Sequence, residues 1–450
     1  MDFKGKKVMV VGMAKSGIAS AGLLIAHGAD VTLYDAKPLE NFEPGAFDAF
    51  EGKAAFAFGA DADALAQQMD ALVLSPGVPP ALPFIQNAVR AGKKVIGEIE
   101  LGALYTQAEF VAISGTNGKT TTTALTGEVF KNGGYTTHVL GNIGIPIAGE
   151  VDKTRKGDVI VAETAALQLE TIDTFRPRVS AILNITEDHL DRYGNMENYI
   201  AAKERVFENQ SEEDYCVLNY DNDVTRGMAG RQKSQVIWFS RQVRLERGVY
   251  LEDGNIVSAE PEGRITICRA DEVKIPGTHN LENALAAAAM ARCYGISAQA
   301  IRETLMTFAG VEHRIEFVRE VNGVRYINDS KGTNADATEK AAAAMTRPTV
   351  IILGGYDKKS GFEELIRGFG PHIRAIVALG DTRQRVVDDA AKAGFAPVHI
   401  ADSFDNAVVR AREIAQPGWN VLLSPACASY DMFKDFEQRG RAFKRLVGRF

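Results

Sequence analysis

Phe110-Val-Ala-Ile-Ser-Gly-Thr-Asn-Gly-Lys-Thr-Thr121 begins as an apolar run of strand length, turns through Gly115 and Gly118, and continues into residues that suit a helix. A phosphate-binding loop needs that order. Glycines let successive backbone N–H groups face one anion, and a helix N-terminus adds positive dipole. Lys119 can reach the terminal phosphates, and the Thr120 hydroxyl can ligate Mg2+. The longer Walker pattern has glycine where Ile113 stands. A bare glycine turn is the competing reading, and Gly-Lys-Thr directly after a strand weighs against it.

Outward from this segment the chain alternates strand-length apolar runs with helical stretches, the pattern of parallel sheets built from βαβ units. Before it lie Val8 to Val11, Val31 to Tyr34 and Ala71 to Leu74; after it come Asp158 to Glu163 and Val179 to Asn184. A polar, glycine-punctuated stretch from about Gly227 to Gly277 reads as hairpins. Beyond His313 the alternation resumes at Val324 to Asn328, Thr349 to Gly354, Ala375 to Leu379, Pro397 to Ile400 and Asn420 to Leu423. At 450 residues the chain is long enough for about three domains.

Composition narrows the function classes. A hydrophobic share of 46% with 24% charged residues gives each domain a core and a polar surface. The net charge of −7 and the scattered basic residues leave no footprint for nucleic acid or anionic lipid, so small-molecule partners are expected. Cys216, Cys268, Cys293 and Cys427 lack paired spacing, which argues against a disulfide framework or a zinc site. With no signal peptide and no apolar run of membrane-spanning length, a cytoplasmic protein is expected.

Other segments carry chemistry. Gly12-Met-Ala14-Lys-Ser-Gly17 follows a strand, and Asp35 closes the next one. Ala14 replaces the second glycine of the dinucleotide fingerprint, and its Cβ obstructs a pyrophosphate, so a nucleoside diphosphate with Asp35 accepting from the nucleoside suits the site better than NAD. A Rossmann-like domain with no ligand is the alternative. Glu163 ends a strand at the edge where ligands of open α/β sheets gather, as a candidate Mg2+ ligand. Thr186-Glu-Asp-His189-Leu-Asp-Arg192 follows another strand at the same edge, unless it is a plain solvent turn. In Tyr199-Ile-Ala-Ala-Lys203-Glu-Arg-Val-Phe207, helical spacing places Lys203 on the apolar face. A desolvated lysine loses its proton and can take up CO2 as a carbamate; the alternative is a snorkelling surface lysine. Three later strand-end loops, Asn328-Asp-Ser-Lys-Gly-Thr-Asn334, Gly354-Gly-Tyr-Asp-Lys358 and Ser424-Pro-Ala-Cys-Ala-Ser429, suggest one shared cleft. Cys427 reads as a small core thiol rather than a nucleophile.

Taken together, Gly115-Thr-Asn-Gly-Lys-Thr120, Asn184-x-Thr-Glu-Asp-His189, Gly277-Thr-His-Asn280-Leu-Glu-Asn283-Ala and His313-Arg314 resemble the Mur ligases of peptidoglycan synthesis, whose shorter loop accounts for Ile113. The 328–334 and 424–440 motifs look like the branch that adds D-glutamate to UDP-N-acetylmuramoyl-L-alanine. The resemblance implies an α/β fold of three domains. They are a Rossmann-like N-terminal domain over 1–97 for the UDP substrate, a central P-loop mononucleotide-binding ATPase domain over 98–310, and a Rossmann-like C-terminal domain over 311–450 for ATP and D-glutamate. It implies ATP and two Mg2+ as cofactors and a monomer with no nucleic-acid or membrane partner.

By the same resemblance, Lys15, Ser16, Asp35, Ala36, Ser75, Pro76, Gly77 and Asn142 would hold the UDP substrate. Gly115, Thr116, Asn117, Gly118, Lys119, Thr120, Thr121, Asn283, Arg314, Asp329 and Lys331 would hold ATP. Thr120, Glu163, His189 and carbamylated Lys203 would hold metal, with Lys119, Glu163, His189 and Lys203 catalytic. His189, Thr333, Lys358, Ser429 and Phe436 would hold D-glutamate, whose two carboxylates suit cationic and hydroxyl donors. One departure stands out: Ala165-Ala-Leu-Gln-Leu-Glu170 lacks the two serines the family usually carries after Glu163. A folylpolyglutamate-type ligase would share the loop but not the first domain, and a dehydrogenase or NAD sensor is suggested only by Gly12 to Gly17.

Overall fold

The computed structural model describes residues 2–142, 144–357 and 361–450, apart from the side chains of Asp191 and Asp336. Two compact units emerge, one of residues 1–274 with 279–308 and one of residues 275–278 with 309–450.

The first unit holds two sheets. Strands β1 (Lys7–Val11), β2 (Asp30–Tyr34), β3 (Ala54–Phe56), β4 (Ala71–Leu74) and β5 (Lys94–Gly97) form a wholly parallel sheet in the order β3-β2-β1-β4-β5. Its central strands are near-continuous Val, Leu and Met because helices cover both faces. The chain reverses direction across the sheet between β1 and β4, where the crevice at the strand C-termini opens. Sequence reading anticipated β1, β2 and β4; the short β3 and β5 at the two edges lacked an apolar run long enough to announce them.

The second sheet comprises β6 (Glu109–Ser114), β7 (Thr137–Gly141), β8 (Val159–Glu163), β9 (Val179–Ile182), β10 (Tyr215–Asn219), β11 (Gln235–Ser240), β12 (Gly248–Glu252), β13 (Asn255–Glu260) and β14 (Gly263–Arg269). Their order is β14-β13-β12-β11-β10-β9-β6-β8-β7. The expected hairpins are the β12-β13-β14 meander alone, since β11 pairs in parallel with β10 and with β12. A helix at Thr278–Cys293 packs into this unit through Ala284–Ala291, all fully buried, where alanine allows close approach without side-chain entropy cost. The two sheets share one core, in which Phe110 meets Phe175 edge-on at 5.1 Å, a pair geometry worth about 0.5–1.5 kcal/mol beyond burial. Glu100, almost wholly buried, ties them further by accepting from the backbone of Asp173, Thr174 and Phe175.

In the second unit, β15 (Glu316–Val321), β16 (Val324–Asn328), β17 (Thr349–Gly354), β18 (Ile373–Leu379), β19 (Val398–Ile400) and β20 (Asn420–Leu423) lie in the order β15-β16-β20-β17-β18-β19. Only β15 is antiparallel, an alternating edge strand without the apolar run of its neighbours. The three loops rich in hydroxyl, acid and lysine follow β16, β17 and β20, which are adjacent. Among the described residues no helix is long and apolar enough to cross a membrane, and the cysteines form no disulfide.

Candidate functional site

The loop after β6 is shaped by what surrounds it. Gly115 sits at φ +139° and Gly118 at +83°, conformations an L side chain resists, and a Cβ on Gly115 would stand 3.2 Å from Leu183. Asn184, just past β9, clamps the loop: its carbonyl accepts from Thr116 N at 2.9 Å, its Oδ1 accepts from Asn117 N at 2.9 Å, and its Nδ2 donates to Asn117 O. Gly118 caps the helix Lys119–Asn132 and offers no capping side chain, so the positive end of the helix dipole is left facing the loop. Lys119 folds over the loop, its Nζ donating to Gly115 O at 2.9 Å and Thr116 O at 2.8 Å. Thr120 and Thr121 are buried beside it.

Asn283, expected at the adenine, is buried against this loop. Its Oδ1 accepts the Thr122 hydroxyl at 3.1 Å, its Nδ2 donates to Asn280 Oδ1, and a Cβ on Gly118 would collide with it. It braces the glycine loop from the helix Thr278–Cys293.

Lys203 is 2% exposed and donates from Nζ to Gly115 O at 2.8 Å, which excludes the snorkelling alternative. Its helix runs Met196–Glu204, and the amine lies over the Tyr199 ring at 4.7 Å. Burial, then the Lys119 charge, drives the amine well below the ordinary lysine range, with Asp188 and Glu163 opposing. Glu163 ends β8, also 2% exposed; its Oε1 accepts from Asn142 Nδ2 at 2.8 Å, while Oε2 has no hydrogen-bond partner among the described residues. A buried, unpartnered carboxylate oxygen beside a desolvated amine is costly unless another group completes it.

His189 stands in the left-handed region at φ +52° and half its side chain is exposed, with Asp188 at 3.6 Å and the Tyr199 ring at 6.4 Å. Tyr199, read in the sequence only as an apolar helix position, links the pieces: its hydroxyl meets Thr116 Oγ1 at 3.1 Å, and burial pushes its phenol up to about 12. Glu170 is a second residue the sequence reading left without a role. It accepts from Arg192 at 2.6 and 3.1 Å and from the Tyr193 hydroxyl at 2.7 Å, anchoring the His189 turn. Where the family serines would stand, Gln168 Oε1 caps Ala165 N at 2.9 Å, and the alanines add no hydroxyl to the turn.

At the first sheet, Asp35 after β2 accepts from Met13 N at 2.9 Å and Lys37 N at 3.0 Å, so the expected nucleoside acceptor also fixes the glycine loop. Ser75 after β4 is buried and donates to Gly12 O at 2.6 Å, a brace rather than an open donor. Lys15, Ala36 and Gly77 are exposed around this crevice, with Ser16 and Pro76 half-buried.

In the second unit the strand-end loops are knit by Arg439, which is 1% exposed and donates to Ser330 O at 2.7 Å, Ser330 Oγ at 3.0 Å and the carbonyls of Cys427 and Ala428. Burial lowers this guanidinium to about 10. Asp329 accepts the Ser424 hydroxyl at 2.6 Å and Ile315 N at 3.2 Å, and burial raises its carboxyl to about 7. His313 is buried beside Asn328, whose Nδ2 donates to Nδ1 at 2.8 Å; that places the ring proton on Nε2, and burial keeps the imidazole below its usual range. Lys331 lies over the Phe436 ring at 5.7 Å. Ser429 is buried, Thr333 and Arg314 are half-buried, and Cys427 is a buried thiol as expected. Lys358 lies outside the described residues.

Known proteins match along the whole chain. Residues 6–97 match the model of the Mur ligase MurD-like N-terminal domain, 113–291 that of the Mur ligase middle domain, and 313–427 that of the Mur ligase glutamate ligase domain. A UDP-N-acetylmuramoylalanine--D-glutamate ligase of Pelotomaculum thermopropionicum is 46% identical over 446 residues, covering 99% of this chain and 98% of its own. The ligase of the same name from Clostridioides difficile is 45% identical over 450 residues, with 99% of each covered. Among solved structures, the UDP-N-acetylmuramate-alanine ligase MurC of Thermotoga maritima shares the fold with a TM-score of 0.62 at 19% identity, covering 99% of each chain. MurF of Acinetobacter baumannii does so with a TM-score of 0.62 at 16% identity, covering 97% of this chain and 93% of its own.

Proposed function

The chain belongs to the Mur ligase family, and from that premise we propose its reaction: ATP-dependent joining of D-glutamate to the alanyl carboxylate of UDP-N-acetylmuramoyl-L-alanine, a step of peptidoglycan synthesis. One observation carries this reading: near-full-length identity to D-glutamate ligases coincides with a strand-edge cluster of glycine loop, buried lysine and buried carboxylate.

The cluster fits Mg2+ and ATP phosphates. Gly115 and Gly118 leave no room for a Cβ, Lys119 covers the loop, and Glu163 keeps a buried oxygen unpartnered. Magnesium bound there would offset phosphate charge as it is transferred. Gly115 to Thr121 and Asn283 are assigned to ATP, with Arg314, Asp329 and Lys331 from the second unit. Thr120, Glu163, His189 and carbamylated Lys203 are assigned to two metal ions. A neutral Lys203 amine can add CO2 and release a proton, gaining the negative charge a cation requires. Lys15, Ser16, Asp35, Ala36, Ser75, Pro76, Gly77 and Asn142 are assigned to the UDP substrate, and His189, Thr333, Lys358, Ser429 and Phe436 to D-glutamate. Segments 1–97, 98–310 and 311–450 would divide these tasks, in a monomer of the cytoplasm.

A carboxylate resists attack by an amine. Transfer of the γ-phosphoryl group to it gives an acyl phosphate, which the D-glutamate amine attacks, and phosphate leaves from the tetrahedral intermediate. Phosphate release that needs ATP, Mg2+, UDP-N-acetylmuramoyl-L-alanine and D-glutamate, and that L-glutamate does not sustain, is the expected result. Release indifferent to the D-isomer would overturn the substrate assignment.

A further inference from the structure

Two carboxylates stand two residues apart at the start of the helix Glu98–Leu104, both almost wholly buried. Glu100 is saturated by the 173–175 backbone. Glu98 is not: Oε1 accepts from Ala148 N at 2.7 Å, and Oε2 has no partner among the described residues. A buried acid left half-satisfied raises the question of what it holds in place.

Ala148 lies in the turn Ile147–Gly149, which closes the segment beginning at Gly141. Gly141 N donates to Ile145 O at 3.0 Å, and Asn142 reaches Glu163 twice, from N to the carbonyl at 2.9 Å and from Nδ2 to Oε1 at 2.8 Å. The same turn is packed from two sides. A Cβ on Gly102 would stand 3.3 Å from Ile147 Cβ and 3.4 Å from Ala148 N, and one on Gly149 3.6 Å from Ala19 Cβ, in the helix that begins at Lys15. Glu98 thus grips a turn that touches the helix of Lys15 and Ser16 and follows closely on Asn142.

We infer that Glu98 is a positioning residue for the sugar-nucleotide substrate, fixing the turn Ile147–Gly149 and, through the Gly141 N–Ile145 O bond, Gly141, so that Asn142 stays docked on Glu163 and faces that substrate. The inference rests on the assignment of Asn142 and the Lys15 helix to UDP-N-acetylmuramoyl-L-alanine. Lost grip would loosen this substrate directly and reach the ATP side only through the Glu163 carboxylate that Asn142 holds, since Asn184 and Asn283 brace the glycine loop independently.

The test is steady-state kinetics of the full chain with each substrate varied in turn. Glu98→Ala is expected to raise KM for UDP-N-acetylmuramoyl-L-alanine about tenfold or more, with KM for ATP within about twofold of the parent. Glu98→Gln keeps an acceptor for Ala148 N and should stay within about threefold. Gly102→Ala pushes on Ile147 without touching the carboxylate and should raise the same KM. Should Glu98→Ala fail to fold by circular dichroism, the Gln and Gly102 variants decide. A parallel rise in the KM for ATP, a Gln variant as impaired as an Ala variant that folds, or unchanged kinetics in Gly102→Ala would overturn the inference. An unsubstituted chain that ignores the UDP substrate would instead bring down the assignment beneath it.

Discussion

Both the Gly12–Gly17 and the Gly115–Lys119 loops leave a buried parallel strand, cross a glycine at positive φ and enter a helix of the first unit. Their surroundings differ. Around the first loop the braces are neutral or backbone-directed: Ser75 donates to Gly12 O, Asp35 accepts from Met13 N, and Gly17 packs so closely that a Cβ would strike Gly12 O. Its lysine, Lys15, is exposed. Around the second, Lys119 and Lys203 both donate to Gly115 O, and Lys203 is stripped of water. A glycine turn supplies only the bend. What sets the two loops apart is the ionisable group that the fold buries beside the second, and burial is what shifts such a group's reactivity.

The largest effect should come from removing that buried amine. Lys203→Ala is expected to lower kcat by about 10³-fold while the chain still melts cooperatively, as read by phosphate release and calorimetry. A native mass spectrum of the unsubstituted protein should carry an adduct the mass of one CO2. A variant at full rate would erase the distinction between the loops.

Glycine substitutions should separate the two loops by substrate. Gly118→Ala, whose Cβ meets Asn283, should weaken ATP about 10²-fold and spare the UDP substrate. Gly17→Ala should destabilise the chain by about 2–4 kcal/mol and raise KM for the UDP substrate, with that for ATP little changed. Denaturation midpoints and paired KM measurements check this, and crossed effects would show that the loops are not independent.

The smallest expected effect is on pH dependence. Burial holds Lys203 below the 10.5 of an exposed lysine, so between its folded value and 10.5 the unfolded chain binds a proton that the folded chain lacks. Stability therefore rises with pH across that window and is lost as pH falls through it, by at most about 1.4 kcal/mol per pH unit. In CO2-free buffer, Lys203→Met should flatten this slope in urea titrations.

Strands and loops with strong local signals were readable from the sequence, and the exceptions have causes. β3, β5 and β15 are short or alternating edge strands, and the antiparallel meander begins only at β12 because β11 still pairs in parallel. Lys203 was legible because helical spacing placed it among bulky apolar residues. Tyr199 shared that spacing, but an apolar face does not reveal that a phenol reaches Thr116. Asn184 and Glu170 act through partners 67 and 22 residues away, at distances along the chain that no local pattern encodes. Asn283 and Asp35 were read as ligand-facing, and the structure adds bracing roles that depend on elements folded against them.

By itself the sequence determined the alternation of α and β, the order of the glycine turns and the chemical types gathered at the strand ends, because backbone conformation and amphipathic period are local properties. Only the tertiary structure decided which of these groups are desolvated. It put Lys203 and Glu163 in one buried edge, left Lys15 in water, and separated a saturated Glu100 from a half-satisfied Glu98 two residues away. Burial belongs to the packed chain, and the cost of burying charge sets which side chains are reactive and which only hold the fold.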